Sequence, residues 1–516
     1  MSDTSKYTAL LLLLIVQCFF WKLDTKPIYK IQELRVAETA REMVANKDWV
    51  IPYFNGELRL RKPPLAYWVA ATSYTLFGKV NEFTARFGSV LFASATVFAL
   101  FAWLRNLQGA RTALIVCLCF ISTYLGLRYS RAAESDSILV LFVTLACIQV
   151  YRLLYEEAGR KQALLLYAFM GLGFLAKGPA AVAIPLLLWL LLAMQEKRYL
   201  SLRALRDVPG ILIFCTLAFA WYALVYFKVP DLPAAWAAEI DATYLGGKHQ
   251  QPFYYYAVNL WKYFAPWSLF LIPAAIWFYK RRPHPPLVVF GWTWFVLSFV
   301  ILSINPAKQI QYALLLSPSV ALIVGHYLGN ATGGFTKVNY AIYGLLALGI
   351  LGLAVFMLTR LGDSLSNEAI ATFFAMALLP LIVAVFLRFK DELPYLELLL
   401  ACLMASATMY NQTRIYSNDS ERFEVESKLF ALASREYEPL YAYGLKDYGY
   451  APALSFYAQR VIPVLGNEDA LTALTKDLSA PIYVATGDTP PVWPPHIQVN
   501  PVLQEGDFAL WQLTPR

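Results

Sequence analysis

Basic residues stand beside apolar runs at several separate places, where they are suited to hold an anionic ligand. The stretch LRLRKPPLAYW places Arg59, Arg61 and Lys62 next to two prolines. Lys177 interrupts an apolar region immediately before Gly-Pro, where the backbone breaks, and Lys308 opens another apolar run. Cations that gather at the mouth of an apolar cavity suit a lipid-linked phosphate, whose head group pairs with them while its chain stays in the bilayer. The alternative for Lys177 is a side chain that extends from a helix end to the membrane interface.

Two carboxylates stand where a membrane protein would use them for chemistry. Glu33 follows the first apolar run closely, and Asp136 opens a later one beside Arg131. A carboxylate at the membrane edge is costly unless it is paired or functional, so both are predicted to be catalytic. The alternatives are that Glu33 pairs with Arg35 or caps a helix start, and that Asp136 belongs to a solvated loop.

Other polar residues are predicted to line the same cavity. Arg59, Arg61 and Tyr67 lie around the two prolines, Tyr312 follows Lys308, and His249 precedes an aromatic run. No second histidine stands at metal-ligand spacing from His249, so no zinc site is predicted. A divalent cation that bridges a carboxylate and the donor phosphate is left open as a cofactor, although the spacing of the acidic residues does not predict a set of ligands for it.

The composition is that of an integral membrane protein. Hydrophobic residues make up 59% of the 516 residues, charged residues only 15%, and the mean hydropathy is +0.49. About 13 apolar segments are long enough to span a bilayer, starting near residues 7, 86, 112, 137, 162, 180, 210, 264, 286, 309, 339, 369 and 394. The first has almost no charge in the residues before it and no small-residue cleavage site after it, so it is predicted to be retained. The net charge of +8 is attributed to orienting loops, and no nucleic-acid partner is predicted.

The distribution of basic residues predicts the orientation. If the N-terminus is cytoplasmic, the connections that follow an even number of spans are also cytoplasmic, and these connections hold most of the basic loop residues. Three larger pieces then lie outside: residues 23–85, residues 228–262 and everything after about residue 411. We therefore expect a bacterial inner-membrane protein with its active surface in the periplasm.

Two of those outer pieces have predictable structure. Residues 31–75 show helical spacing and interfacial aromatics, which favours one or two amphipathic helices on the outer membrane surface. After residue 411 a helical stretch is followed by short strand-like runs, which predicts a small soluble α/β domain. The expected domains are a transmembrane domain at 1–410 and a periplasmic domain at 411–516.

Six stretches resemble a known family. In order they are ELRVAETAREM…DW, RKPPLAYW, ESDSILVLFVTLA, FLAKGP, HQQPFYYY with PWSLF, and KQIQYALLLSP. They are similar to the polytopic glycosyltransferases of the C-type fold that use polyprenyl-phosphate sugars, the group containing bacterial aminoarabinose transferases and protein O-mannosyltransferases. The fold class that follows is an all-α polytopic membrane protein with a small C-terminal periplasmic α/β domain.

The resemblance also implies roles for single residues. Lys62 and Lys177 match lysines expected to contact the donor phosphate, with Arg35, Arg131 and Lys308 as further phosphate-binding candidates. The family's acidic pair reads Gln32-Glu33 here, so Glu33 is the carboxylate expected to take the catalytic role, and Asp136 matches the acid of a later loop. A tyrosine of the family pattern is replaced by Val36.

The expected reaction is sugar transfer from a polyprenyl (undecaprenyl) phosphate donor to lipid A or another envelope glycan, with inversion. Lysines would stabilise the leaving phosphate. A hydroxyl acceptor would need Glu33 or Asp136 as a base, whereas a phosphate acceptor needs no strong base. The alternatives are a lipid-linked glycan flippase or transporter, a protein O-glycosyltransferase, a ligase or polymerase of pyrophosphate-linked glycans, and a scaffold.

Overall fold

The structure is a computed structural model that describes most of the chain. The described residues are 3–28, 30–156, 159–229, 232, 250–361, 379, 382–383, 385, 394, 396–403, 419–445, 450–487 and 490–516. The elements in chain order are α1 (Asp3–Ile15), α2 (Ile31–Asn46), β1 (Tyr53–Phe54), β2 (Glu57–Leu58), α3 (Leu65–Phe77), α4 (Glu82–Gln108), α5 (Ala110–Ile121), α6 (Tyr124–Tyr129), α7 (Asp136–Tyr155), α8 (Arg160–Lys177), α9 (Ala180–Gln195), α10 (Val208–Lys228), α11 (Tyr255–Tyr263), α12 (Leu271–Lys280), α13 (Pro286–Ile304), α14 (Ser317–Asn330), α15 (Gly334–Leu361), α16 (Asp419–Ala433), β3 (Leu440–Tyr443), α17 (Tyr450–Ala458), β4 (Val464–Leu465), α18 (Glu468–Thr475), β5 (Ile482–Thr486), β6 (Ile497–Glu505) and β7 (Phe508–Pro515).

The chain divides into two compact units. The helical unit comprises Met1–Trp21 and Ser89–Asn411, and the sheet-bearing unit comprises Lys22–Gly88 and Gln412–Arg516. The predicted outer helices therefore belong to the same unit as the C-terminal tail.

Several apolar helices coincide with predicted membrane spans. Five described helices are long and apolar enough to cross a bilayer: Glu82–Gln108, Asp136–Tyr155, Val208–Lys228, Pro286–Ile304 and Ile310–Asn330. Shorter apolar helices cover Thr4–Phe20, Ala110–Ile121 and Ala180–Gln195. The predicted span starting near residue 369 falls outside the described residues, so the count of thirteen stays a prediction.

Helix α8 packs closely against α10 in the helical unit and ends at Lys177. A Cβ at Gly171 would lie 2.9 Å from the Cβ of Leu217 and 3.2 Å from the carbonyl oxygen of Phe214, so α8 and α10 approach backbone to backbone. The helix ends at Lys177, because Gly178 adopts a φ of +95° that side chains rarely tolerate. The predicted backbone break beside the lysine is confirmed.

The sheet-bearing unit contains the predicted C-terminal sheet. Its five strands lie in the order β4-β3-β5-β7-β6, with β3 parallel to β4 and β5, and β7 antiparallel to β5 and β6. The core beneath it includes Leu471, Val484 and Leu513. In the N-terminal part of the unit, the β1–β2 hairpin separates α2 from α3.

Candidate functional site

Asp136 and Lys177 form a buried ion pair in the helical unit. Asp136 is the first residue of α7 and Lys177 the last of α8, and these two helices pack side by side. The ammonium of Lys177 donates to both carboxylate oxygens of Asp136, at 2.5 and 2.6 Å, and lies 4.7 Å from the ring centroid of Tyr312. The side chain of Asp136 is only 3% exposed. Three residues predicted for the site from distant parts of the sequence are therefore in contact.

Lys308 is buried close to the same region of the helical unit. Its ammonium donates to the carbonyl oxygens of Gln251, at 3.0 Å, and Asn305, at 2.6 Å. The hydroxyl of Tyr256 donates to the carbonyl oxygen of Gln309 at 3.0 Å. An ammonium has three donors, so these two bonds leave Lys308 with capacity for a further acceptor.

Arg131 forms hydrogen bonds with the backbone at the end of the first apolar helix. Its guanidinium donates to the carbonyl oxygens of Cys18, at 3.1 Å, and Trp21, at 2.7 Å. These bonds satisfy backbone acceptors at a helix end, which are costly to leave unpaired in an apolar environment. The structure thus gives Arg131 a structural task, and its predicted contact with a donor phosphate stays a prediction.

Glu33 is held by a partner that the sequence analysis missed. In the sheet-bearing unit, Arg86 donates from Nε to Oε1 of Glu33 at 2.9 Å and from Nη2 to Oε2 at 3.2 Å. The same guanidinium also donates to the carbonyl oxygens of Leu23 and Lys26, at 2.9 and 2.7 Å. Both charged side chains are buried. The sequence places Arg86 near the start of an apolar segment, where a charge needs a partner, but no spacing links it to Glu33.

The residues around the two prolines also lie in the sheet-bearing unit. Nε of Arg59 donates to the hydroxyl of Tyr67 at 3.2 Å, and its guanidinium lies 5.4 Å from the ring centroid of Phe54. Tyr67 is buried, whereas Arg61 and Lys62 are exposed. The Lys-Pro motif therefore presents its lysine at the surface of this unit.

A second buried charge pair stabilises α2. Arg41 donates to both carboxylate oxygens of Glu38, at 2.8 and 2.6 Å, and the hydroxyl of Tyr74 donates to the carbonyl oxygen of Ala37 at 3.1 Å. Burial raises the pKa of Glu38 to about 8, although the hydrogen bonds from Arg41 oppose that rise. The spacing of this pair was predictable from the sequence, but its complete burial was not.

Two predictions about the site stay predictions: the place of His249 in the cavity and the binding of a divalent cation. His249 lies outside the described residues. Among the residues that are described, no three side chains of histidine, cysteine, aspartate or glutamate are grouped so that they could hold a metal ion.

Comparison with known proteins identifies the fold. A family model for dolichyl-phosphate-mannose-protein mannosyltransferase matches residues 61–222. The crystal structure of ArnT from Cupriavidus metallidurans bound to undecaprenyl phosphate superposes with a TM-score of 0.79 at 20% identity, covering 99% of this chain and 98% of that one. The chain has the C-type glycosyltransferase fold. The matched family segment contains Lys62, Asp136 and Lys177 but not Glu33.

Two curated proteins that are similar to this chain carry the name of an aminoarabinose transferase, the group that the six sequence stretches resemble. The undecaprenyl phosphate-alpha-4-amino-4-deoxy-L-arabinose arabinosyl transferase of Yersinia pestis (strain Pestoides F) is 27% identical over 373 residues, 70% of this chain and 66% of that protein. The protein of the same name from Serratia proteamaculans (strain 568) is 26% identical over 370 residues, with the same coverage of 70% and 66%. The matches thus span slightly less than two thirds of the relatives' length. The predicted resemblance to aminoarabinose transferases and mannosyltransferases is confirmed.

Proposed function

We propose that the chain is a membrane glycosyltransferase that moves a sugar from a polyprenyl phosphate donor, such as undecaprenyl phosphate, to an extracytoplasmic acceptor. The acceptor class is lipid A or another envelope glycan. The observation that carries this proposal is the contact of Asp136, Lys177 and Tyr312 at adjoining ends of apolar helices, in a chain with the fold of an undecaprenyl phosphate-binding transferase. The relatives are named for transfer from the same class of donor.

In this proposal the lysines bind and stabilise the phosphate of the donor. An acceptor oxygen attacks the anomeric carbon while the bond from that carbon to the phosphate oxygen breaks, and the bonding electron pair leaves with the phosphate. Lys62 and Lys177 stabilise the growing negative charge, assisted by Arg35, Arg131 and Lys308. Attack opposite to the leaving group inverts the anomeric centre.

The geometry of the carboxylates favours a phosphate acceptor over a hydroxyl acceptor. Both oxygens of Asp136 accept hydrogen bonds from Lys177, and both oxygens of Glu33 accept them from Arg86. A carboxylate in such a pair must give up a charge-assisted bond before it can take a proton. A phosphate on the acceptor has already lost its proton, so the reaction then requires no base and the carboxylates serve to orient the cations.

The proposed location is the bacterial inner membrane. The N-terminus is placed in the cytoplasm and the C-terminal domain in the periplasm, because basic loop residues concentrate on the side that this orientation makes cytoplasmic. A transferase for envelope glycolipids then meets its acceptor on the periplasmic side.

Sugar transfer in reconstituted membranes tests the proposal. Purified protein in proteoliposomes with a polyprenyl-phosphate sugar and lipid A is expected to yield a glycosylated lipid, measured by mass spectrometry. Glu33→Gln is expected to reduce product formation, since it removes the charge that orients Arg86. Movement of the donor lipid across the bilayer without any glycosylated product would instead establish a flippase.

Lipid A should be compared with its dephosphorylated form, which the proposed mechanism predicts to be a poor acceptor.

A further inference from the structure

The two glutamines of the HQQPFYYY stretch contact the segment that leads into the candidate site. The backbone N–H of Gln251 donates to the carbonyl oxygen of Pro306 at 3.2 Å, and Gln250 forms an antiparallel bridge with Ala307. The ammonium of Lys308 donates to the carbonyl oxygen of Gln251 at 3.0 Å, across 57 positions of sequence. These bonds join two distant segments of the helical unit.

Tyr256 adds a side-chain bond to the same segment. It lies in the first turn of α11, its side chain is only 1% exposed, and its hydroxyl donates to the carbonyl oxygen of Gln309 at 3.0 Å. Gln309 directly precedes a 3₁₀ helix, Ile310–Leu316. The hydroxyl of Tyr256 therefore holds the backbone at the point where this short helix begins.

The carbonyl oxygen of Gln309 links Tyr256 to Tyr312. It accepts the hydroxyl of Tyr256 and also the backbone N–H of Tyr312, at 3.2 Å. A 3₁₀ helix has hydrogen bonds of poorer geometry than an α-helix, so its position depends more on bonds from its neighbours. A shift of this carbonyl would consequently move the backbone of Tyr312.

Tyr312 is the aromatic residue of the candidate site. Its ring centroid lies 4.7 Å from the ammonium of Lys177, which donates to both oxygens of Asp136. The 3₁₀ helix also packs against α7, the helix that begins with Asp136. A ring face attracts an ammonium, so the place of the ring affects where the cation is held.

Packing alone does not account for the hydroxyl of Tyr256. A buried phenylalanine would fill almost the same volume, whereas the hydroxyl is the part that reaches Gln309. The ring and the hydroxyl can therefore be tested separately.

We propose that Tyr256 is a positioning residue for the sugar transfer described above, and this inference rests on that proposed function. Its hydroxyl fixes the carbonyl oxygen of Gln309 and thereby keeps the ring of Tyr312 against Lys177. The ammonium of Lys177 then stays where it meets the donor phosphate. Such placement matters, because a displacement of about 1 Å in an active site can lower a rate by as much as about a hundredfold.

Hydrogen–deuterium exchange of the purified full chain tests the structural half of this proposal. Tyr256→Phe removes only the hydroxyl and keeps the ring. Amides in residues 306–316 are expected to exchange about three- to tenfold faster than in the parent, since one buried hydrogen bond is lost. Unchanged exchange in these residues would overturn the proposal, whether or not the protein transfers sugar.

Tyr263→Phe is the matched control on the same helix. The side chain of Tyr263 is 2% exposed, and its hydroxyl donates to the hydroxyl of Tyr255 at 2.9 Å, within α11. This variant also loses one buried hydroxyl, but it is expected to keep the parent's exchange in residues 306–316 and the parent's transfer rate. Equal effects in both variants would overturn the proposal, since loss of any buried hydroxyl on α11 would then explain them.

Steady-state kinetics in proteoliposomes test the functional half. Tyr256→Phe is expected to lower kcat about tenfold or more and to change the KM of the polyprenyl-phosphate sugar less than about threefold, because Lys177 and Asp136 keep their charges. A kcat equal to that of an active parent would overturn the proposal. A parent that transfers no sugar would instead count against the proposed function, and the exchange measurement would still decide the placement of Tyr312.

A double variant tests whether Tyr256 acts through Tyr312. Tyr312→Leu removes the ring that faces Lys177, so adding Tyr256→Phe to it is expected to lower kcat no further. Reductions that multiply in the double variant would show that the two tyrosines act independently, and would overturn the proposal.

Discussion

Replacing Lys177 with alanine is expected to lower the rate of sugar transfer by about 10²- to 10³-fold. The substitution removes the cation that is proposed to stabilise the leaving phosphate, and it leaves the carboxylate of Asp136 buried without the two hydrogen bonds that it accepts. The measurement is product formation in proteoliposomes from a polyprenyl-phosphate sugar.

The same helix provides a matched control for Lys177. At the other end of α8, Arg160 pairs with Asp207 at 2.9 Å, but its side chain is 62% exposed, compared with 15% for Lys177. Exposed ion pairs contribute little, so Arg160→Ala is expected to preserve the rate. Lys177→Arg keeps the charge and should retain more activity than Lys177→Ala. Parent-like transfer by a folded Lys177→Ala protein would exclude this lysine from the reaction.

Replacing Arg86 with alanine is expected to destabilise the sheet-bearing unit by about 3–5 kcal/mol. The substitution leaves Glu33 as a buried charge without this partner and removes the donor from the carbonyl oxygens of Leu23 and Lys26. The measurement is the midpoint of thermal unfolding of the purified protein in detergent.

Two variants make the result for Arg86 specific. Arg460 pairs with Glu438, whose side chain is 73% exposed, so Arg460→Ala is expected to cost less than about 1 kcal/mol. Combining Arg86→Ala with Glu33→Gln removes the buried charge together with its partner, and should recover part of the lost stability. An unfolding midpoint for Arg86→Ala equal to that of the parent would mean that the pair contributes nothing to the fold.

The local features of the fold could be predicted from the sequence. Hydropathy predicted the segments that became α7, α10 and α13, because a long apolar run in a helix depends on its own residues. The break after Lys177 was predictable from Gly178 and Pro179, and the i,i+3 spacing of Glu38 and Arg41 is one at which side chains pair on a helix.

Features that depend on distant residues could not be predicted in the same way. Glu33 and Arg86 are 53 positions apart, and nothing in the sequence alone selects Arg86 over the nearer Arg35. Strand β6 shows the same limit, because Pro501 within it argues against a strand, but β6 is an edge strand with an irregular register after that proline, where a proline is tolerated.

Part of the candidate site was also predictable. Asp136 was identified at the start of an apolar run, Lys177 as an interruption of one and Tyr312 as a residue that follows Lys308, and the structure brings the three into contact. The sequence did not reveal that Asp136 itself would accept both hydrogen bonds from Lys177. That finding shifts the proposed role of the carboxylate from base to orienting group.

We propose that Lys62 and Lys177, from distant parts of the chain, both bind the phosphate of the polyprenyl donor. The most direct measurement is the equilibrium affinity of the purified protein for undecaprenyl phosphate, compared among the parent, Lys62→Ala, Lys177→Ala and Lys79→Ala, where Lys79 is an exposed control. Each of the first two substitutions is expected to weaken binding roughly tenfold or more, as loss of a charge-assisted contact should, and Lys79→Ala is expected to bind like the parent. Unchanged affinity in either the Lys62 or the Lys177 variant would exclude that lysine from the phosphate site.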